Sequence, residues 1–250
     1  MPNPWDIGTA KILASLGFQA LATTSSGYAA TLGKFDGAVT RDESLTHAHN
    51  IVTAVDVPVS ADLENGFADD SDGVFATVEG AIEVGLAGCS IEDFSGDEDD
   101  PIYPKDLAVE RIAAACHAAK TGHGLVLTAR AENFIHGRPD LADTIARLQA
   151  YQEAGADVLY APGLTKLADI KSVVSSVDRP VNILARPALP SVAELAEVGV
   201  ARISVGGAFN QAALGALVEA GRELLEQGSY GYLDLARRGR EQIDLAFDTE

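Results

Sequence analysis

The chain has 250 residues, 47% of them hydrophobic, and is therefore long enough to bury one large core. It carries 18 Lys and Arg residues against 37 Asp and Glu residues, and the net charge of −19 would repel a nucleic acid from most of the surface. No apolar run approaches the roughly 20 residues of a membrane helix, and the opening M-P-N-P-W-D lacks the basic and apolar regions of a signal peptide. We therefore expect a cytoplasmic protein that binds neither nucleic acid nor membrane.

Short runs rich in β-forming residues alternate with longer runs of helical period along the whole chain, which is typical of repeated βα units and a parallel sheet. Seven strands are predicted, at 20–24, 57–62, 88–93, 125–130, 157–161, 180–184 and 201–205. Helices are predicted at 6–16, 42–55, 72–86, 104–121, 139–154, 166–177, 190–198 and 208–227, with a polar helix from about residue 230.

This alternation continues without a linker, so residues 1–250 are predicted to form one domain, with 208–250 as C-terminal helices for packing and oligomerisation. A (β/α)₈ barrel is favoured over an open doubly wound sheet because no G-x-G-x-x-G follows an early strand. One strand of the eight is missing. The chain begins directly with a helix, so either the absent first strand lies upstream of Met1, or the barrel is closed by seven strands and a gap.

Polar side chains stand at the carboxyl ends of almost all the predicted strands, where barrel enzymes place their chemistry. Because side chains alternate along a strand, Asp62, Glu92 and Arg130 can face the barrel interior and converge at its mouth. Cys89 lies on the opposite strand face from Glu92. The two cysteines, Cys89 and Cys116, are predicted to be buried, reduced thiols.

Carboxylates that converge in a dry cavity repel one another and raise each other's pKa unless a cation offsets them. Mg²⁺ is the economical cation, because it takes one or two carboxylates, keeps waters and shares its other positions with substrate oxygens. Arg130 would then be free to bind a substrate carboxylate or phosphonate; alternatively, it simply pairs with a neighbouring acid. The acidic run S-G-D-E-D-D-P at 95–101 is interpreted as a solvated loop, and His136 as the one histidine at this face.

Taken in order, several motifs resemble the isocitrate lyase / phosphoenolpyruvate mutase superfamily. They are N-P-W-D, T-T-S-S-G-Y, G-K-F-D-G, A-D-L-E-N-G-F, G-C-S-I-E-D, T-A-R-A-E, E-A-G-A-D, N-I-L-A-R-P and V-A-R-I-S-V-G-G. The resemblance implies a Mg²⁺-dependent (or Mn²⁺-dependent) barrel that acts on small 2-oxo or 2-hydroxy carboxylates through an enolate. It also implies a homodimer or homotetramer in which the C-terminal helix is exchanged with a partner subunit.

The resemblance assigns a role to each matching position. Metal ligands would be Asp62, Glu64 and Glu92; substrate-binding residues would be Ser26, Gly27, Tyr28, Arg130 and Asn182; and catalytic residues would be Asp36, Arg130 and Glu92.

Two motifs depart from the family pattern. The loop that carries K-[KR]-C-G-H in lyases of this family, whose Cys acts as acid and base, here reads F-S-G-D-E-D-D-P-I-Y-P, and the Lys-Thr-Asn group of the mutases is missing too. The Asp-x-Asp at the metal appears as Asp62-Leu63-Glu64. We therefore expect a carbon–carbon lyase or an oxaloacetate-type decarboxylase, since CO₂ leaves without a general acid. The alternatives are a phosphonopyruvate hydrolase or phosphonomutase, and a catalytically silent 2-oxo acid binding protein.

Overall fold

The computed structural model describes residues 1–122 and 124–247. The described residues form one sheet of seven parallel strands, each paired with the next along the chain. The strands are β1 Leu21–Ala22, β2 Val59–Asp62, β3 Gly88–Glu92, β4 Val126–Arg130, β5 Val158–Tyr160, β6 Val181–Leu184 and β7 Arg202–Ser204. Each lies within a predicted run, so the seven strand predictions are confirmed.

Helices follow the strands and cover the outside of the sheet. They are α1 Ile7–Ser15, α2 Ser25–Thr31, α3 Arg41–Val52, α4 Ser71–Glu83, α5 Lys105–Thr121, α6 Leu141–Ala154, α7 Leu167–Ser175, α8 Val192–Glu197, α9 Ala208–Arg222 and α10 Leu233–Phe247, with a π-helical turn at Glu223–Gln227. The predicted helices are confirmed, except that 208–227 divides into α9 and the π-helical turn. Helix α2 was not predicted.

Local capping explains where several helices begin. Thr40 and Glu43 form a capping box at the start of α3, and Ser191 and Glu194 form another at α8. Helix α6 ends at Gly155, whose φ of 109° is a left-handed conformation that only glycine adopts readily.

The first three residues bridge β1 and β7, at the position of the missing strand. The backbone N–H of Ala22 donates to Pro2 O (3.0 Å), and the amino group of Met1 donates to Ile203 O (2.6 Å). The Asn3 side chain donates to Thr23 O and accepts from the N–H groups of Val205 and Gly206. The sheet is thus a nearly closed barrel with a short, irregular segment in the eighth position.

The core lies between the sheet and the helices. Among the fully buried side chains are Ala61, Ile91, Leu127, Leu159 and Ile183, which alternate with the residues that face the barrel interior. Cys89 and Cys116 are free and buried, as predicted. Burial raises the pKa of both thiols, that of Cys116 to about 12.

The C-terminal helices differ from the rest of the ring. Helix α10 packs on α1, where Gln242 Nε2 donates to Ser15 Oγ (2.9 Å) and the Lys11 ammonium lies 5.9 Å from the centre of the Phe247 ring. Within α9, which is described in full, Asn210 alone is buried. The exchange of a C-terminal helix with a partner stays a prediction, and residues 248–250 of that predicted segment lie outside the described residues. No helix in the described part of the chain is long and apolar enough to cross a bilayer.

Candidate active site

Strands β2, β3 and β4 bring three of the predicted site residues together at the barrel mouth. Their register pairs Glu92 with Arg130 and Asp62 with Ser90, so the side chains of alternate residues meet above the sheet. Arg130 Nη1 donates to Asp62 Oδ1 (2.7 Å), and Nη2 lies 2.9 Å from Glu92 Oε2. Its Nε donates to Glu132 Oε1 (2.9 Å). The predicted convergence of Asp62, Glu92 and Arg130 is therefore confirmed.

Arg130 is surrounded by acids in this structure, which corresponds to the second of its two predicted roles. Although burial alone would lower the pKa of Arg130, the carboxylates of Glu132, Glu92 and Asp62 raise it well above the ordinary value. Its side chain is 13% exposed, and that of Glu132 is 1% exposed. Direct binding of a substrate anion by Arg130 stays a prediction; it would require one carboxylate to leave the guanidinium.

Negative charge exceeds positive charge around this cluster. We call the acidic side the group formed by Arg130 and the carboxylates that line the cavity beside it, which are Asp36, Asp62, Glu64, Glu92 and Glu132. Burial, followed by the charges of Asp62 and Asp36, raises the pKa of Glu64 to about 8. Burial also raises the pKa of Glu92 well above its ordinary value, against the opposing effect of Arg130. Among the described residues, Arg130 is the one cationic side chain of the acidic side.

Asp36 reaches the acidic side from the loop between α2 and α3. Burial of its carboxyl raises its pKa, a hydrogen bond from Ser25 lowers it, and the charge of Asp62 raises it further. Ser25 Oγ donates to Asp62 Oδ2 (3.1 Å) in this structure, and its single proton can serve only one of the two acids at a time. The structure thus places Asp36 beside the predicted metal residues, and its catalytic role stays a prediction.

The chain leaves β2 in a strained conformation that directs Glu64 at the cavity. Glu64 and Phe67 have φ values of 50° and 55°, in the left-handed region that non-glycine residues rarely adopt. Arg111 Nη2 donates to Asn65 O, and Nη1 donates to Ala68 O (2.5 Å). The buried Arg111 therefore fixes the segment 64–68 from below.

The segment predicted to hold a substrate carboxylate forms the first turn of α2. Thr24 Oγ1 accepts from the N–H of Gly27 (3.4 Å), and Thr24 O accepts from the N–H of Tyr28 (3.0 Å). Ser26 lines the cavity. The Tyr28 ring instead stacks on His47, with ring centres 3.8 Å apart. Of the three residues, Ser26 is thus the one placed in the cavity wall, and the carboxylate-binding role of the segment stays a prediction.

Strands β5 to β7 form the other wall of the cavity, and the groups here are neutral or positive. Arg202 Nε donates to Asn182 Oδ1 and Nη2 donates to Thr128 Oγ1, both at 2.9 Å. Asn182 Nδ2 donates to Ser204 Oγ (3.1 Å), which donates to the Tyr160 hydroxyl (3.3 Å). We call Tyr160, Asn182, Arg202 and Ser204 the β5–β7 side. Asn182 is therefore in the cavity wall, as its predicted substrate role requires.

The acidic loop borders the mouth of the cavity. Phe94 and Ile102 form an antiparallel bridge at its base, and the Phe94 ring stacks on His136 with centres 3.8 Å apart. Arg138 Nη2 donates to Asp100 Oδ1 (3.0 Å), which ties the loop to the segment after β4. Gly96 and Glu98 line the cavity. The solvated loop predicted from composition is exposed, but it also forms part of the cavity wall.

Two adjoining hollows make up the site. The inner one has a volume of about 570 Å³ and is lined by both the acidic side and the β5–β7 side. The outer one, of about 650 Å³, is lined by Thr40, Arg41 and Asp42 and shares Glu64 and Glu92 with the inner one. We place the chemistry in the inner hollow, because Arg130 and the strand ends line it.

The sequence reasoning assigned no role to Glu132, Asp93 or Arg202. Asp93 accepts from the Tyr151 hydroxyl (2.6 Å), from Arg147 Nη1 (3.1 Å) and from the N–H of Glu132 (2.7 Å). It therefore positions Glu132, which in turn holds Arg130. The T-A-R-A-E motif was a signal for Glu132; for Arg202 the signal was an arginine inside a short apolar strand.

The acidic side fits a divalent cation in its charge and in its oxygen donors. Within residues 1–122 and 124–247, no group of three His, Cys, Asp or Glu side chains is arranged to hold a metal ion directly. Mg²⁺, however, needs only one or two carboxylates, with water in the other positions. Asp62 and the unpaired Glu64 are the residues that would hold it, and Glu92 lies beside them.

A parallel barrel with ionisable side chains gathered at the carboxyl ends of its strands is the arrangement of the barrel enzymes. The sequence pattern of the family described as "phosphoenolpyruvate phosphomutase" matches residues 1–225. The chain therefore belongs to the isocitrate lyase / phosphoenolpyruvate mutase superfamily, and it is an enzyme of lyase type. The resemblance drawn from the motifs is confirmed.

Relatives with solved structures or known names support the same placement. A protein from Burkholderia cenocepacia J2315, named only as a candidate lyase/mutase, is 51% identical; the match covers 100% of this chain and 91% of that one, with a TM-score of 0.96. The 2-methylisocitrate lyase of Escherichia coli K12 is 35% identical over 173 residues, which are 66% of this chain and 57% of that enzyme. An oxaloacetate acetylhydrolase in complex with oxalate is 25% identical, with a TM-score of 0.86 over 98% of this chain and 88% of that one.

Proposed function

We propose that this protein is a Mg²⁺-dependent lyase that cleaves a carbon–carbon bond, or decarboxylates, a small 2-oxo or 2-hydroxy carboxylate through an enolate-type intermediate. The observation that supports this most directly is the excess of carboxylates on the acidic side, where five line the cavity and three of them pair with one guanidinium. The lyase names of the relatives support the carbon–carbon chemistry. Mn²⁺ is the expected substitute for Mg²⁺.

A divalent cation bound at Asp62 and Glu64 would supply positive charge to stabilise the enolate oxygen. The chain's own residues would orient the substrate and exclude water. Arg130 adds a fixed positive charge at the same point, and the Asp93 network keeps its partner Glu132 in place. The loop at 94–103 contributes Phe94, Gly96 and Glu98 to the cavity wall, so it would restrict the access of water to a bound substrate from that side.

The experiment is a substrate screen with Mg²⁺ or Mn²⁺ on the purified protein. Oxaloacetate, 2,3-dimethylmalate, 2-methylisocitrate and phosphonopyruvate cover the carbon–carbon and phosphorus–carbon alternatives. Turnover of a carboxylic acid that stops with EDTA and returns with Mg²⁺ is expected. Turnover of phosphonopyruvate alone would favour the hydrolase or phosphonomutase alternative instead.

A second candidate is a binding protein without catalysis, favoured by the absence of K-[KR]-C-G-H from the loop at 94–103. It requires that oxalate or pyruvate with Mg²⁺ raise the melting temperature while none of the four acids is turned over. Turnover of any of them at an ordinary enzyme rate would remove this candidate.

The oligomer is part of the proposal. Several large apolar side chains of α9 are exposed, among them Leu217, Val218 and Leu214. A second copy that covers α9, by exchange or by packing, would bury them, and a dimer or tetramer is therefore expected. Light scattering coupled to size exclusion measures this directly; a monomer at micromolar concentration would contradict it.

A further inference from the structure

Arg202 is a partly buried arginine that lines the inner hollow and, among the described residues, has no carboxylate partner. Arg111 also lacks one, but it donates to backbone carbonyls beneath the site and does not line the hollow. Arg130 lies against three carboxylates, and Arg147 pairs with Asp93 and Asp143. No carboxylate of the described residues lies within 4.0 Å of Arg202. A guanidinium that is withdrawn from water without an anion is expensive, so the fold holds an uncompensated positive charge here.

The hydrogen bonds of Arg202 fix its position and leave one nitrogen available. Its Nε and Nη2 are held by Asn182 and Thr128, which lie on β6 and β4. Its Nη1 has no hydrogen-bond partner among the described residues, and Arg202 lines the inner hollow. Burial lowers the pKa of Arg202, which reflects the missing counterion.

The neighbours of Arg202 are suited to an anion. Asn182 Nδ2 has a second N–H beside the one it gives to Ser204, the Tyr160 hydroxyl accepts from Ser204 and keeps its own proton, and the Ser204 hydroxyl can turn from Tyr160 to an anion; these residues line the same wall of the hollow. A positive charge with neutral donors and no acid is the chemistry that binds a carboxylate. The acidic side, by contrast, would repel a carboxylate unless a cation were bound there.

The spacing between the two sides suits a short dianion. The Thr128 hydroxyl accepts from Arg202, and Arg130 stands two residues further along the same face of β4, so these two strand positions are about 7 Å apart. With C–C bonds of about 1.5 Å and an oxygen at each end, an extended dicarboxylate of about four to five carbons has a comparable length. A monocarboxylate of pyruvate size would reach only one side.

We propose that Arg202, with Asn182 and Ser204, forms a subsite for the distal carboxylate of a 2-oxo or 2-hydroxy dicarboxylate of about four to five carbons. This inference rests on the proposed function and narrows its substrate class. The reacting end of the dicarboxylate would lie at the acidic side, and its far carboxylate would neutralise Arg202.

The test compares malate with lactate, which share the 2-hydroxy acid end and differ in the distal carboxylate. Isothermal titration calorimetry at saturating Mg²⁺ is expected to show malate binding at least tenfold more tightly than lactate. Arg202→Gln should weaken malate binding by about tenfold to a hundredfold and change lactate binding by less than about twofold. Arg202→Lys, which keeps the charge without the planar fork, should give an intermediate loss, and the exposed Arg240→Gln is the matched control.

Binding of malate no tighter than lactate by the wild type, including no detectable binding of either, would overturn the subsite. An Arg202→Gln variant that loses thermal stability but keeps the wild-type ratio of malate to lactate affinity would also overturn it, because Arg202 would then have only a structural role. If Arg202→Gln does not fold, Arg202→Lys decides by the same ratio. The ratio of malate to lactate affinity is measured without turnover. If the substrate screen shows no lyase activity, this ratio still decides whether Arg202 binds the distal carboxylate.

Discussion

The two walls of the inner hollow carry opposite excess charge, negative on the acidic side and positive on the β5–β7 side. On the acidic side, five carboxylates line the cavity, three of them pair with one guanidinium, and burial raises the pKa of Glu64 to about 8. On the β5–β7 side, one guanidinium has hydroxyl and amide partners but no acid. The fold could have paired these charges with each other. Their separation across a cavity is the basis of the two proposals made above, a cation bound at one wall and an anion bound at the other.

The largest effect is expected from replacing Asp62, the central carboxylate of the acidic side. Asp62→Asn should reduce kcat/KM by about a thousandfold and abolish the rise in melting temperature that Mg²⁺ produces, because Asp62 is both the partner of Arg130 and the proposed metal residue. Asp244→Asn, on the exposed face of α10, is the matched control. A variant that keeps its Mg²⁺ response would show that the cation binds elsewhere.

The next effect comes from beneath the acidic side, at Arg111. Arg111→Met should lower the free energy of unfolding by about 3 kcal/mol, since the carbonyls of Asn65 and Ala68 lose buried donors. Because the strained segment 64–68 is then released, Mg²⁺ affinity should fall as well. Urea unfolding and Mg²⁺ titration measure the two quantities separately. Loss of stability with unchanged Mg²⁺ affinity would mean that Arg111 does not position Glu64.

The pH dependence of stability sharpens the contrast between the walls. Between about pH 4.5 and 8 the folded, metal-free protein holds a proton on Glu64 that the unfolded chain has released. Rising pH should therefore favour unfolding, and in EDTA the free energy of unfolding should fall through this window. In Glu64→Gln, the decrease in the free energy of unfolding across this pH window should be smaller than in the wild type by roughly 1 to 3 kcal/mol. Part of the slope should remain, because burial also raises the pKa of Glu92, Asp93 and Asp36. An unchanged slope in Glu64→Gln would contradict the raised pKa.

The smallest effect is expected at the loop beside the mouth. The Arg138 and Asp100 side chains are 47% and 73% exposed, so solvent screens their ion pair and Arg138→Gln should change stability by less than about 1 kcal/mol. Proteolysis at 94–103 should nevertheless become faster, since the pair ties this loop to the segment after β4. Arg237→Gln, which breaks an exposed ion pair on α10, is the control. Equal cleavage rates in both variants would show that the loop is held by Phe94 and His136 instead.

Most of the fold could be predicted from the sequence, because strands and helices are encoded by patterns among neighbouring residues. Alternation along each strand placed Asp62, Glu92 and Arg130 on the interior face, and the register of β2 to β4 confirms it. Helix α2 escaped prediction because its cap, Thr24, follows a strand of two residues and resembles the strand's own end. The contact between Arg202 and Thr128 joins residues 74 apart, and no local pattern reports it. The sequence shows that Arg202 carries a charge. Only the positions of the neighbouring strands show that, among the described residues, no carboxylate pairs with it.

The bridge formed by the first three residues has a consequence for how the barrel is made. Asn3 joins Thr23 to Val205 and Gly206, so the contact that closes the ring spans 203 positions. Contacts between residues so far apart in the sequence form slowly, because closing the long intervening loop costs conformational entropy before the contact can stabilise the fold. The strands can pair with their neighbours one after another during synthesis, but the ring cannot close until β7 has been made. A chain interrupted before that point would expose the edges of β1 and of its last strand, which are sites for pairing with other chains.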